Sequence, residues 1–111
     1  MSQVIDSGYE LKKFLAGSEA CLALFYASWC PFSLGFLPVF ENHAGKHGLD
    51  FVRILLDGNE KVFDEFAISV YPTVLYFESG RLSRRLDGRH GAGLNENQLA
   101  ELIESCPVKR D

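Results

Sequence analysis

Residues 25–33 read Phe25-Tyr26-Ala27-Ser28-Trp29-Cys30-Pro31-Phe32-Ser33 and join a nearly continuous apolar run, residues 20–27, to a helical pattern that begins at Pro31. The apolar run is typical of a strand that is covered on both faces, and proline suits the first turn of a helix. Cys30 is therefore expected where a buried strand meets a helix N-terminus. The unpaired N–H groups and the positive end of the helix dipole stabilise a thiolate more than a thiol there. We expect Cys30 to be at least partly ionised at neutral pH and to act as a nucleophile.

The three cysteines of the chain are predicted to differ in role. Position alone also allows Cys30 to be a small, buried apolar residue rather than a nucleophile. Ser33 lies one helical turn later, where its hydroxyl group could donate a hydrogen bond to the Cys30 sulfur. Cys21 falls within the apolar run and Cys106 on the apolar face of the last predicted helix. We expect both of these thiols to be buried and inert.

Apolar periodicity in the rest of the chain alternates between helical and strand spacing. Helices are predicted at 7–17, 31–47, about 62–67 and about 95–106. Strands are predicted at 20–27, 51–56, 73–77 and 81–86, the last two joined by a turn at Ser79-Gly80. The order α-β-α-β-α-β-β-α indicates parallel βαβ units, then an antiparallel hairpin and a covering helix. The sequence therefore predicts an α/β fold, a central mixed sheet flanked by helices on both faces.

Length, charge and composition argue against several classes of protein. A chain of 111 residues is expected to form a single domain over residues 1–111. Its 15 acidic and 11 basic residues give a net charge of −4, which argues against nucleic-acid and anionic-membrane partners. The apolar residues 20–40 include Pro31 and Pro38 and begin as a strand, and residues 1–9 lack the pattern of a signal peptide. We expect a soluble, cytoplasmic monomer.

Residues 25–33 resemble the active-site segment of the thioredoxin family, aromatic-x-Ala-x-Trp-Cys-x-x-Cys. Further matches occur in the family's order at Pro38, Asp57, Val70-Tyr71-Pro72-Thr73, Gly80 and Gly88, so the resemblance covers about residues 3 to 105. It implies the thioredoxin fold and a cis peptide bond before Pro72 that faces the reactive sulfur. It also implies a thiol-disulfide oxidoreductase that reduces disulfides in client proteins with Cys30 as nucleophile. The electrons would come from a thioredoxin reductase, with no bound cofactor and no metal.

The same resemblance implies a docking surface for clients around the sulfur, formed by Trp29, Pro31, Phe32, Tyr71, Pro72 and Gly88. An extended client would bond to the exposed backbone at Tyr71. Phe32 either contacts a client side chain or packs against Trp29 or Pro38. Trp29 is expected on the rim of the site, with burial in the core as the alternative.

Ser33 departs from the family, because it occupies the position of the second, resolving cysteine. A dithiol attacks with one sulfur and releases the product with the other, and a serine cannot perform the second step. The reaction should therefore stall at a mixed disulfide. Ser33 is either an engineered Cys→Ser substitution, our preferred interpretation, or natural. A natural monothiol protein would act as a client-binding or retention module or, with less support from Trp29 and Pro31, as an iron–sulfur carrier.

Leu24 and Arg53 are further departures from the family pattern. Leu24 stands where thioredoxins carry a buried acid, so proton transfer near the sulfur must use water or another group. Arg53 stands where the family often has a lysine near that acid. The fixed positive charge of Arg53 would favour the Cys30 thiolate; alternatively, Arg53 forms an ion pair at the surface.

Two polar clusters support weaker hypotheses. Five basic residues follow one another closely in an otherwise acidic chain: Arg81, Arg84, Arg85, Arg89 and His90. They either protect an edge strand from association or contact an acidic reductase or client. His43 and His47 are four residues apart and could share a metal, but no further ligand completes a site. We interpret both histidines as surface or capping residues.

Overall fold

The computed structural model describes residues 1–107, which contain five strands and four helices. The strands are β1 (Gln3–Ile5), β2 (Ala20–Tyr26), β3 (Asp50–Leu55), β4 (Thr73–Glu78) and β5 (Arg81–Leu86). The helices are α1 (Gly8–Ala16), α2 (Pro31–His43), α3 (Glu60–Glu65) and α4 (Glu96–Ser105). Polar side chains cap two of the helices. The Ser7 hydroxyl accepts the N–H of Glu10 at 3.1 Å to start α1, and Asn95 with Gln98 forms the predicted capping box of α4.

One mixed sheet carries the strands in the order β1-β3-β2-β4-β5. β2 lies at its centre, parallel to β3 and antiparallel to β4. β1 extends the sheet on the β3 side and β5 extends it on the β4 side. The predicted α/β class and mixed sheet are confirmed. The carboxyl end of β2, which leads to Cys30, therefore lies in the middle of the sheet, where Phe25 is in register with Thr73 of β4.

β2 is buried along its whole length because helices cover both faces of the sheet. On one face, Leu24 lies in a cluster with Phe36 of α2 and Leu99 of α4. On the other face, Phe25 packs edge-on against Phe63 of α3, with ring centroids 5.2 Å apart. Each fully buried side chain of this size contributes about 1.5–3 kcal/mol to stability. The short connection to α2 therefore follows a strand that is anchored in the core on both faces.

The boundaries of three segments test the predictions from sequence. β1 was not predicted, because a strand of three residues in which only Ile5 is buried is too short to show alternation. α2 was predicted to reach residue 47 but ends at His43, since Gly45 and His47 have φ angles of +83° and +68°, outside the right-handed helical region. Residues 20–40 divide between β2 and α2, and no helix of the described part of the chain is long and apolar enough to span a bilayer.

Candidate active site

The Cys30 thiol lies at the N-terminus of α2, in the short connection from β2. The carbonyl oxygen of Cys30 accepts the N–H of Leu34 at 3.1 Å, while its side chain caps no backbone group. The sulfur lies 3.8 Å from the carbonyl oxygen of Tyr71, to which the thiol donates a weak hydrogen bond. The Cys30 residue is 8% exposed, so only a small part of it is open to another sulfur at the surface.

A second loop brings the Tyr71 carbonyl oxygen to the sulfur, and Pro72 follows it in the chain. The peptide bond between Tyr71 and Pro72 is cis, as the family resemblance implied. The Thr73 hydroxyl fixes this loop, since it donates to the Val70 carbonyl at 2.7 Å and accepts the N–H of Gly88 at 3.4 Å. A Cβ atom on Gly88 would lie 2.3 Å from the Pro72 carbonyl oxygen. The connections β2–α2, α3–β4 and β5–α4 therefore meet at Cys30.

Ser33 is fully buried in the first turn of α2. Its Oγ accepts the N–H of Ala27 at 3.2 Å. The hydrogen bond that the Ser33 hydroxyl could donate to the Cys30 sulfur, as the spacing allowed, stays a prediction. Side chains on a helix lean toward its N-terminal end, and this one bonds to the backbone just beyond the end of β2. The serine is thus accommodated without an unsatisfied side-chain oxygen among the described residues.

Two aromatic side chains lie exposed on the rim of the site. Trp29 is 64% exposed, and its ring meets that of Tyr71 edge-on with centroids 5.8 Å apart. Phe32 is 42% exposed and packs against Gly93, where a Cβ atom would lie 2.8 Å from the Phe32 Cβ. Both rings present apolar surface to solvent next to Cys30.

A shallow depression of about 250 Å³ opens beside Cys30. Nine residues line it: Trp29, Cys30, Phe32, Ser69, Val70, Tyr71, Arg89, His90 and Gly91. The predicted residues Pro31, Pro72 and Gly88 are close in the chain but do not line it. Ser69 and Gly91 were missed, because only their spacing from Tyr71 and Gly88 could have indicated them. A larger depression of about 600 Å³ lies between α1 and α3 and contains no cysteine.

Arg53 and Leu24 are paired in the register of β3 and β2. Leu24 is fully buried in the core. The Arg53 guanidinium lies 3.2 Å from the Glu41 carboxylate and 2.8 Å from the Ser2 hydroxyl, and the side chains of Arg53 and Glu41 are both 17% exposed. The Ser2 hydroxyl also donates to Glu41. The contacts support the ion-pair interpretation, because Glu41 compensates the charge that was considered for the Cys30 thiolate. The pair is largely buried, however, and not at the surface as the sequence suggested.

The five basic residues separate into two groups in the structure. Arg81, Arg84 and Arg85 lie along β5, an exposed strand at one edge of the sheet. Arg85 is held there, 2.7 Å from the Asp87 carboxylate and 2.9 Å from the carbonyl oxygen of Phe66. The other two, which follow β5 in the chain, line the depression beside Cys30. The cluster is therefore divided between the edge strand and the depression beside Cys30.

The two histidines connect the end of α2 to the start of α4. His43 Nδ1 lies 2.9 Å from His47 Nε2, and His43 Nε2 lies 2.8 Å from the Glu96 carboxylate. Within residues 1–107, no group of three or more His, Cys, Asp or Glu side chains could hold a metal ion. The contacts agree with a structural role for this pair.

Cys21 and Cys106 are buried, as expected, with 0% and 2% exposure. Burial raises the pKa of the Cys21 thiol, and the nearby Asp50 carboxylate raises it further. The Cys106 thiol donates to the Leu102 carbonyl oxygen at 3.2 Å. None of the three cysteines forms a disulfide. Cys30 is therefore the thiol that borders the surface.

Comparison with known proteins agrees with this geometry. The sequence model of the Thioredoxin family matches residues 3–105. The thioredoxin of Mycoplasmoides gallisepticum is 31% identical over 101 residues, which cover 90% of this chain and 97% of that protein. Protein disulfide-isomerase 1 of Caenorhabditis elegans is 32% identical over 89 residues, 76% of this chain and 18% of that longer protein. The solved structure of a mutant thioredoxin from Halobacterium salinarum has a TM-score of 0.82 and 26% identity, covering 94% of this chain and 88% of that chain.

Proposed function

Because the chain belongs to the thioredoxin family, we propose that Cys30 attacks disulfides of client proteins and, for lack of a second thiol, holds the clients as mixed disulfides. Its thioredoxin and protein disulfide-isomerase relatives make it a thiol-disulfide oxidoreductase in the general sense. One observation carries the finer proposal. The Cys30 thiol lies at a helix N-terminus, 3.8 Å from the Tyr71 carbonyl oxygen and beside an open depression.

The proposed reaction is a single thiol–disulfide exchange. The Cys30 thiolate attacks one sulfur of the client disulfide, the client S–S bond breaks, and a new S–S bond joins Cys30 to the client. The second client sulfur leaves as a thiolate and takes a proton from water. No net oxidation occurs in this step.

The rim supplies the surface on which a client would dock. Trp29 precedes Cys30 in the chain and Phe32 follows it, and both expose apolar rings. A docked client would cover both rings. The backbone at Tyr71 offers hydrogen-bonding groups to an extended client segment. Apolar contacts and main-chain hydrogen bonds tolerate many client sequences, so they suit a protein that acts on more than one disulfide.

Ser33 is the reason that the reaction should stop halfway. A resolving group must attack the Cys30–client bond as a sulfur nucleophile, and a hydroxyl group at neutral pH does not. Ser33 is also fully buried and bonded to the Ala27 N–H. An external thiol must then release the client. With cysteine at this position, release would be internal, and a thioredoxin reductase would return the electrons to the resulting disulfide.

The origin of Ser33 separates two versions of this function. An engineered Cys→Ser change explains a groove that otherwise matches a working oxidoreductase, and we retain it as the first explanation. A natural monothiol client-binding module is the second. Two observations favour it: the Ser33 hydroxyl is hydrogen-bonded where it lies, and Leu24 fits the core in place of the family's acid.

A paired insulin-reduction assay tests the proposal. The chain and its Ser33→Cys variant are compared with dithiothreitol as the reductant, and Cys30→Ser serves as the blank. We expect rapid turnover from Ser33→Cys, little from the unmodified chain, and none above background from Cys30→Ser. This result would identify Ser33 as the sole block in a complete oxidoreductase.

Mass spectrometry of the unmodified chain after incubation with insulin separates stalling from inactivity. We expect an adduct in which a disulfide joins Cys30 to an insulin chain and which dithiothreitol dissolves. An adduct without turnover by Ser33→Cys would make the client-binding module the better description. The absence of any adduct would overturn Cys30 as the nucleophile.

A further inference from the structure

We propose that Arg89, with His90 beside it, makes the site selective for clients that carry a carboxylate next to the reacting cysteine. The inference rests on the proposed function, since it concerns the clients that Cys30 attacks. Both basic side chains are exposed and line the depression that also contains Cys30. The contacts of Trp29, Phe32 and Tyr71 tolerate many clients, whereas a fixed cation discriminates between them by charge.

The backbone around Arg89 is a closed loop. The Arg89 N–H donates to the Gly93 carbonyl oxygen at 3.1 Å, and the Gly93 N–H donates to the Arg89 carbonyl oxygen at 2.8 Å. Ala92 adds a third hydrogen bond to the same carbonyl oxygen, at 3.1 Å. Gly93 has a φ angle of +69°, which favours glycine. These hydrogen bonds define the path of residues 89–93 and present Arg89 and His90 on one side of the depression.

Both ends of this loop are fixed by residues of the site itself. Before it, Gly88 approaches the Pro72 carbonyl so closely that a Cβ atom would lie 2.3 Å from the oxygen. After it, Gly93 packs against Phe32, the second residue after Cys30. The position of Arg89 relative to the reactive sulfur is therefore set by the same contacts that build the site.

The charge of Arg89 is available to a client. The nearest acid in sequence, Asp87, is bound by Arg85 at 2.7 Å. Arg89 forms no ion pair with any residue in the range 1–107, and no acidic residue is among those that line the depression. The chain as a whole carries a net charge of −4, so this positive site stands against an acidic background. A client with an acidic residue beside its cysteine meets attraction here and repulsion elsewhere.

Synthetic peptides test this selectivity. Each peptide carries one cysteine as its 2-pyridyl disulfide and differs only in the residues flanking that cysteine, which are Glu, Gln or Lys. Attack by the Cys30 thiolate on the peptide sulfur breaks the S–S bond and releases pyridine-2-thione, whose absorbance gives the rate. We expect the Glu peptide to react about two- to fivefold faster than the Gln peptide, the size of one exposed charge pair, and the Lys peptide to react more slowly.

Variants assign the effect to Arg89. Arg89→Gln should bring the Glu and Gln peptides to similar rates, and Arg89→Glu should invert the order. Arg81→Gln is the matched control, because Arg81 is also exposed but begins β5 at the opposite end of the strand. The length of β5 separates it from the site by roughly 17 Å, beyond a Debye length of about 8–10 Å. Arg81→Gln should show the same ratio of Glu-peptide rate to Gln-peptide rate as the unmodified chain. Added salt should reduce this ratio in both proteins.

The outcomes separate this inference from the function on which it rests. If all peptides react with the unmodified chain at equal rates and Cys30→Ser does not react, Cys30 is the nucleophile and the selectivity is absent. If a preference persists in Arg89→Gln, the charge of Arg89 is not its source, and the inference is overturned. If no peptide reacts faster than with Cys30→Ser, the proposed function fails and the selectivity fails with it.

Discussion

The backbone of Gly88 presses against the carbonyl oxygen of Pro72, leaving no room for even a methyl group between them. A Cβ atom would lie 2.3 Å from that oxygen, so one of the two backbone segments would have to move. The neighbouring N–H of Gly88 bonds to Thr73, which in turn bonds to Val70. Gly88 therefore holds the cis-proline loop in place from the far side of the site.

Replacing Gly88 by alanine should destabilise the protein and slow client capture. The backbone of both loops must shift, at a cost of about 1–3 kcal/mol. Urea unfolding measures the loss of stability, and the rate of pyridine-2-thione release from the peptide disulfides measures client capture. Gly35→Ala is the control with the opposite sign, because a Cβ atom there meets nothing within 4 Å. In the interior of α2 that change should stabilise by about 0.5–1 kcal/mol. Equal stability of Gly88→Ala and the unmodified chain would show that the loops are not pressed together.

Alkylation should modify one cysteine in the folded protein. Cys30 is 8% exposed at the site, whereas Cys21 and Cys106 are 0% and 2% exposed in the core. After brief treatment with iodoacetamide at neutral pH, we expect a single adduct on Cys30 by peptide mass mapping. Cys30→Ala should remain unmodified under the same conditions, and all three thiols of the unmodified chain should react in denaturant. Early labelling of Cys106 in folded protein would contradict the burial of the last helix.

Loss of Arg53 should reduce stability and leave client capture unchanged. Arg53→Met leaves the Glu41 carboxylate of a largely buried ion pair without its cation. We expect the free energy of unfolding to fall by about 1–3 kcal/mol. The matched control is Arg84→Met, since Arg84 is exposed on β5 and has no ion pair among the described residues. Urea unfolding measures the stability, and the rate of pyridine-2-thione release measures client capture. A slower reaction at unchanged stability would instead indicate that Arg53 acts on the Cys30 sulfur.

Stability should fall in alkaline solution, in part because of Cys21. Burial raises the pKa of this thiol above its ordinary value of 9.0, so the unfolded chain loses the proton first as the pH rises. The unfolded state then binds fewer protons than the folded state, and the free energy of unfolding decreases by up to about 1.4 kcal/mol per pH unit above that value. Cys21→Ala should show a shallower decrease between pH 8.5 and 10.5. Parallel curves for the two proteins would contradict a protonated Cys21 in the folded state.

The sequence was sufficient for the parts of the fold that leave periodic signals. The alternation over residues 81–86 coincides with β5, and the apolar run that begins at Ala20 predicted a doubly covered strand. Helix ends were less predictable, because the turn at Gly45 and His47 depends on backbone angles that composition does not specify. β1 is held by pairing with β3, and three residues carry too few side chains to show that.

The candidate site divides in the same way. The position of Cys30 at the start of a helix could be predicted, because it depends only on residues that are adjacent in the sequence. The ion pair of Arg53 with Glu41 and the contact of Phe32 with Gly93 join distant parts of the chain. Such contacts arise from packing, since side chains far apart in sequence meet only after the sheet has formed. Residue types at single positions do not reveal them.

Under the proposed function, the serine at position 33 leaves the release of a captured client to thiols in the surroundings of the protein. Under the proposed chemistry, a mixed disulfide at Cys30 ends only when a thiol from solution attacks it, and that rate rises with the thiol concentration. A client would stay attached longest where free thiols are scarce and would depart quickly where they are abundant. The concentration of thiols in the medium would therefore set the lifetime of the mixed disulfide.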